Sequence, residues 1–391
     1  MSISDHLEML GVELRATWSQ TRKANGDICQ TRVGNTIRQW KAGKFMHLNQ
    51  RSWSLNQYCL PKMWFRTHSV DLRVQDVTKV TSSVKSWLYQ DQLLKPEEQI
   101  MYRHAALGGL GVHSVQLKAQ AGLIRSFLET AVNPSFRTSL FHYQLFRYHV
   151  LEDTTLPNPG FPPFYSPEFF SKIRQVHQDT PLNVSHLTEK QWYQILMEDT
   201  FMAESDGGVR EQILCRVERA KPETDWENSW RLARLPGLGP DNISFLFKMM
   251  HEILPTQECV ARTKPRATAS CTMVGCTVDV TEDLPHALIL CDGNNGVGHR
   301  VFRCLQNFVP DLDVESVLRL ELNVGEDLEL PLVWLLATVF LCIWKLRIDK
   351  SRLQLYEVRA KLEAKINLLR ETRFRNATVL LDQFVDNYFE I

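Results

Sequence analysis

No stretch of this sequence is apolar for the roughly 20 residues that a membrane-crossing helix needs. The longest such run, Leu330 to Trp344 (LPLVWLLATVFLCIW), stops short of that length and carries Pro331 near its start. The expectation is a fully buried helix and no membrane partner. No secretion signal is expected either, because the opening MSISDHLEML is too polar to form its apolar core. Nine cysteines, an odd number scattered over 391 residues, argue against a fully paired disulfide framework. Free thiols in a reducing intracellular compartment, nuclear or cytoplasmic, are expected instead. No internal repeat is visible. Net charge is absent too, since 45 Lys and Arg balance 45 Asp and Glu. The balance is uneven along the chain, however. Residues 1–130 hold 17 basic against 10 acidic side chains and the remainder 28 against 35, so a polyanion-binding surface is expected early in the chain.

What is present is ordinary for a globular protein of two or three domains, with 44% hydrophobic and 23% charged residues. Residues 31–67 read as helical on either side of a short break. Val33, Ile37 and Trp40 share one face, while Lys41, Lys44, Arg51, Lys62 and Arg66 fall largely off it. Pro61 must begin or kink a helix. GGLG at 108–111 is a flexible turn leading into an amphipathic helix that runs to residue 131. Five prolines among aromatics at 156–170 predict an extended linker. Residues 241–255 place Ile243, Leu246, Phe247, Met250 and Ile253 at helical spacing and stop at Pro255. The stretch from 351 to 390 carries a stripe of Leu355, Val358, Leu362, Ile366 and Leu369. With only about two heptads, packing on its own domain is favoured over a self-pairing coiled coil.

Cys271, Cys276, His286 and Cys291 form C-x4-C-x9-H-x4-C. Three thiolates and an imidazole suit tetrahedral zinc with no open position, a structural site rather than a catalytic one. The alternative is three unrelated thiols and a capping histidine. Trp230, the apolar helix around Ile243, the step Leu254-Pro255-Thr256, then Cys271, Cys276, Glu282, His286 and Cys291 follow one another in an order. That order resembles the zinc-binding segment at the C-terminal end of reverse transcriptases of LINE-type, non-LTR retrotransposons. The first half resembles the same family. WKAGKFMHLNQRSWSLNQYCLPKMWF is similar to its thumb signature, with Trp40, Leu48, Arg51, Asn56 and Pro61 at the marked positions, LGVEL is similar to the end of its palm, and GGLG to the turn after the thumb. The resemblance covers most of residues 10–300. It implies a mainly α fold: a thumb-like helical domain over 1–150, a proline- and aromatic-rich linker over 151–224, a helical zinc-binding segment over 225–310 and a C-terminal helical region over 311–391.

DNA synthesis in that family needs paired aspartates holding two magnesium ions, and the sequence contains no Asp-Asp pair. With no endonuclease-like region either, the expectation is a non-catalytic remnant that binds nucleic acid. Thumb helices in the family lie on the template-primer duplex, which makes Lys41, Lys44, Arg51, Lys62 and Arg66 the expected contacts to an RNA or DNA backbone, tolerant of sequence. Trp40, Trp53 and Trp64 fit core positions better than base-stacking ones. GGLG lacks the third glycine of a dinucleotide fingerprint, Ser114 standing in its place. Cys59, between Tyr58 and Leu60, fits a buried apolar residue better than a nucleophile paired with His68. The competing reading is a zinc-stapled helical module that meets protein partners, or a second copy through the C-terminal helix, without binding nucleic acid.

Overall fold

The computed structural model describes residues 6–9, 11–40, 46–90, 94–132, 187–204, 210–212, 215–264, 266–273, 275–277, 280–294, 296–348 and 355–370, together with residues 379 and 382. The fold is mainly α. Among the described residues, strands form only two antiparallel ribbons, β1 (His6–Met9) with β2 (Val12–Arg15) and β3 (Met202–Glu204) with β4 (Arg210–Gln212). The helices in chain order are α1 (Trp18–Gln39), α2 (Leu48–Ser54), α3 (Pro61–Thr67), α4 (Val74–Tyr89), α5 (Glu98–Tyr102), α6 (Val115–Val132), α7 (Glu189–Phe201) and α8 (Arg216–Ala220). They continue as α9 (Trp226–Leu232), α10 (Pro240–Met250), α11 (Gln257–Thr263), α12 (Val297–Phe308), α13 (Val314–Arg319), α14 (Glu326–Ile348) and α15 (Leu355–Arg370).

The chain forms two compact units. The first comprises residues 1–46, 51–90 and 112–213, the second 47–50, 91–111 and 214–391. Residues 91–111 thus leave the stretch expected as one thumb-like domain and join the C-terminal half. In the first unit, α1 begins at a capping box in which Thr17 and Gln20 bond each other's backbone. Its Gln30 donates to Asp76 of α4, a fully buried carboxylate also held by the Arg73 guanidinium at 2.7 and 2.8 Å. The α6 helix buries Leu123, Ile124 and Leu128 against Trp192 and Leu196 of α7. So part of the expected linker 151–224 is a packed helix, whose apolar face supplies the burial that an extended linker would forgo. The proline-rich stretch 156–170 lies outside the described residues.

The second unit is built round α14. By length and composition this helix could cross a membrane, yet Leu332, Val333, Leu335, Leu336, Val339, Phe340 and Ile343 are all buried within the unit's core. A helix apolar on every side is what a core helix surrounded by neighbours requires. The α15 stripe belongs to that same core, with Val358, Leu362 and Ile366 buried. Packing on its own domain, the favoured expectation for this helix, is what the described residues adopt.

The GGLG turn shows how closely the unit is fitted. Gly108 has φ +78°, and a Cβ there would stand 2.3 Å from the Trp230 ring, so only glycine suits both backbone and neighbour. Its carbonyl accepts from His251 Nε2 at 2.8 Å, while Trp230 stacks on the His251 ring at 4.6 Å and donates to Glu218 at 3.2 Å. Glu218 is paired in the interior with Arg103 at 2.6 Å. Burial lowers the His251 pKa to about 4, so the ring is neutral at pH 7. The space a phosphate would take over a glycine loop is here filled by indole.

Candidate metal centre

The clasp starts at α11, whose Thr256 side chain caps the first turn by accepting from Cys259 N–H. The chain then returns past it. Ser270 bridges Thr281, and Glu282 N–H donates to Ala269 C=O at 2.8 Å. This sets Ala269 across from Glu282 and brings Cys271 back beside residues 280–282. His286–Leu290 form a π turn closed by Cys291 N–H to His286 C=O at 2.9 Å.

That turn explains the H-x4-C spacing. Residues five apart on an α-helix point about 140° away from each other at 3.6 residues per turn. An i→i+5 turn brings them back to one side. Gly298 at the start of α12 lets the next helix press on the turn, since a Cβ there would lie 2.1 Å from Leu288 C=O.

The ligand atoms of Cys271, Cys276, His286 and Cys291 all lie within 4.8 Å of one another. Cys271 and Cys291 sulfurs are 3.7 Å apart, and Cys276 Sγ is 3.6 Å from His286 Nε2. Tetrahedral bonds of about 2.3 Å to sulfur and 2.0–2.1 Å to nitrogen require edges of about 3.8 and 3.6 Å. The donor set therefore fits a four-coordinate metal ion, with Nε2 as the histidine ligand. Cys259 stands outside the group and lines a neighbouring cavity of about 560 Å³. Burial, then the charge of Cys271, push the Cys291 thiol well up. Burial lowers His286, with Asp283 and Asp292 opposing, and a lowered value keeps the imidazole in its neutral, ligating form at pH 7.

Around these four lies a supporting shell that sequence reasoning missed in part. Asp283 Oδ1 accepts from His286 N–H at 2.8 Å, and Asp292 accepts from Thr277 N–H at 3.0 Å. Glu282 is completely buried, accepts from Gln257 N–H at 2.7 Å and Thr272 N–H at 3.4 Å, and is ion-paired with Arg347. Arg347, 8% exposed near the end of α14, has its pKa lowered by burial, with the nearby charges of Cys271 and Cys276 opposing. One guanidinium thus ties the buried carboxylate beside the ligands to the core helix. Nothing in the spacing of Arg347 marks it, because it lies 56 residues beyond Cys291.

The expected nucleic-acid contacts fare differently. Lys41 and Lys44 lie outside the described residues. Lys62 is exposed on α3. Arg51 and Arg66 are turned inward, 8% and 3% exposed, with Arg51 Nη1 donating to Leu88 C=O at 3.1 Å and Arg66 4.0 Å from Glu8. Each occupies the buried face of its helix, so neither guanidinium is presented to a phosphate at the surface. The tryptophans also correct the expectation: Trp53 is 55% exposed, and Trp40 and Trp64 are half-buried. Cys59 is fully buried, and burial pushes its thiol up to about 11, with Lys62 opposing, which fits a core residue and not a nucleophile. Compared with known proteins, the chain matches no family model and no curated sequence.

Proposed function

We propose that this chain is a non-catalytic nucleic-acid-binding protein related to the thumb and zinc segment of LINE-type reverse transcriptases, with a structural zinc ion closing its second unit. The observation that carries the proposal is the convergence of Cys271, Cys276, His286 and Cys291, in the order that the resemblance assigns, at tetrahedral edge lengths. Zinc is the ion best suited to three sulfurs and one imidazole nitrogen with no position left for substrate. Three thiolates and a dication leave one net negative charge, which the Arg347 guanidinium offsets beside Cys271. The centre holds Thr256 to Asn294 in shape and takes part in no reaction.

Binding is assigned to the first 130 residues, whose excess of seven positive charges (17 against 10) suits a phosphate backbone. Lys41, Lys44 and Lys62 are the contacts proposed. The burial of Arg51 and Arg66 favours a second reading, a zinc-stapled helical module for protein partners.

Metal analysis of the purified chain and a salt titration of RNA and duplex DNA binding test these readings together. The proposal expects one zinc per chain and micromolar, sequence-tolerant binding. Replacing Lys41, Lys44 and Lys62 should lower the salt slope by up to about 3. A chain free of zinc removes the first half of the proposal. Zinc without nucleic-acid binding leaves the protein-interaction module.

A further inference from the structure

From Ile28 to Val70 the sequence runs for 43 residues without one Asp or Glu, while Arg32, Arg38, Lys41, Lys44, Arg51, Lys62 and Arg66 supply seven cations. Inside this stretch, α2, the π turn Leu55–Cys59 and α3 make one nearly continuous helix with two opposite faces. Leu55, Cys59, Leu60, Met63 and Arg66 are buried. The outer face carries Trp53, Gln57, Tyr58, Lys62 and Phe65. Trp53, Tyr58 and Phe65 are 55%, 45% and 57% exposed. Three large rings turned to solvent on one helix face are an exposed patch that calls for an occupant.

The backbone is shaped to bring two of these rings together. Trp53 and Tyr58 are five residues apart, so a regular α-helix would point them about 140° away from each other. The π turn, closed by Leu60 N–H to Leu55 C=O at 2.9 Å, returns them to one side. Their rings meet edge to face at 5.6 Å, and Trp40 joins Tyr58 at 5.1 Å.

Apart from Pro61, no aliphatic residue is exposed from Trp53 to Phe65. The rest of the face offers ring planes, one amide and the Lys62 ammonium, one helical turn after Tyr58. Rings interleaved with positive charge on a helix whose own sequence carries no carboxylate suit bases and phosphates better than an apolar protein helix or a lipid tail. We infer that the Trp53–Tyr58–Phe65 face is a stacking platform for a single-stranded polynucleotide. Unpaired bases would lie on the rings and phosphates against Lys62, so the protein would favour single strands over duplex. The inference rests on the nucleic-acid reading above and specifies its ligand.

The test is fluorescence anisotropy of the full chain with labelled oligo-dT and oligo-U of about 15 nucleotides and with a duplex of equal length, within the usual 4–16-nucleotide site. Wild type should hold the single strands more tightly. Trp53→Ala combined with Tyr58→Ala should weaken them at least about tenfold, leaving duplex affinity and the single-strand salt slope unchanged, because rings release no counterions. Trp53→Phe with Tyr58→Phe, which keeps the rings, should restore most of the affinity. Unchanged single-strand affinity in the alanine variant, or an equal loss on duplex, overturns the platform and leaves the phosphate reading standing. Absence of binding to either probe by wild type overturns both. A wild-type dimer that the alanine variant dissociates, seen by sedimentation, makes the face a homotypic interface and ends the proposal.

Discussion

Arg347→Met removes a cation from a nearly sealed site while keeping much of its volume. Glu282, with no exposed surface, would be left as a buried carboxylate facing a thioether. Breaking a buried pair from one side costs about 3–5 kcal/mol. The low end applies, about 3 kcal/mol, since Glu282 keeps the N–H groups of Gln257 and Thr272. That corresponds to roughly a 100-fold rise in the open population at equilibrium. The loss should appear locally, as faster amide hydrogen exchange in Gln257–Thr263 and His286–Cys291 at fixed zinc, before it appears in global unfolding. Zinc affinity, read by chelator competition, should fall about 10- to 100-fold, the usual effect of losing a group that orients a ligand. Arg347→Lys should fall between, supplying charge to Glu282 without the planar guanidinium fork. Protection and zinc affinity both within about twofold of wild type would refute the tie between the centre and α14.

Zinc retention should weaken on acidification. Burial and Cys271 raise the Cys291 thiol, so binding expels protons and falling pH opposes it, by up to about 1,000-fold per pH unit with three thiols. His286, lowered by burial, adds a further proton only below its ordinary value of about 6.5. Chelator competition between pH 8 and 6 measures this, and a flat profile would contradict thiolate ligation. Removing the metal should increase exchange across Thr256–Asn294 while α1 and α4 keep their protection; uniform loss through both units would refute a local clasp. Gly108→Ala should destabilise the second unit by roughly 2–4 kcal/mol, combining a left-handed backbone with overpacking against Trp230. An unchanged urea midpoint would show that the turn relaxes. Cys259→Ser should leave zinc stoichiometry intact and Cys271→Ser should abolish it, by metal analysis of both variants.

Helical periodicity at 31–67, 108–131, 241–255 and 351–369, joined to the family resemblance, indicated a mainly α chain, because a 3.6-residue apolar stripe is a local property. The spacing of Cys271, Cys276, His286 and Cys291 likewise identified four side chains that the fold does bring together, since thiolates and imidazole at such intervals have little other shared chemistry. The apolar run at 330–344 indicated burial, which α14 achieves by taking neighbours on every side.

What the sequence could not decide is which way side chains face once a helix departs from 3.6 residues per turn. The π turn at Leu55–Cys59 shifts the register between α2 and α3. Reasoning on a regular helix sent the tryptophans inward and the arginines outward, whereas Trp53 is exposed and Arg51 and Arg66 are buried. The π turn at His286–Leu290 performs the corresponding task in the clasp, aligning two ligands whose spacing a plain helix would separate. Arg347 and Gly108 were equally illegible. The first meets Glu282 from 65 residues beyond it, and the second is a glycine because Trp230, 122 residues away, fills the space over it. Such requirements arise from contacts between distant segments, and so only the tertiary structure fixes them.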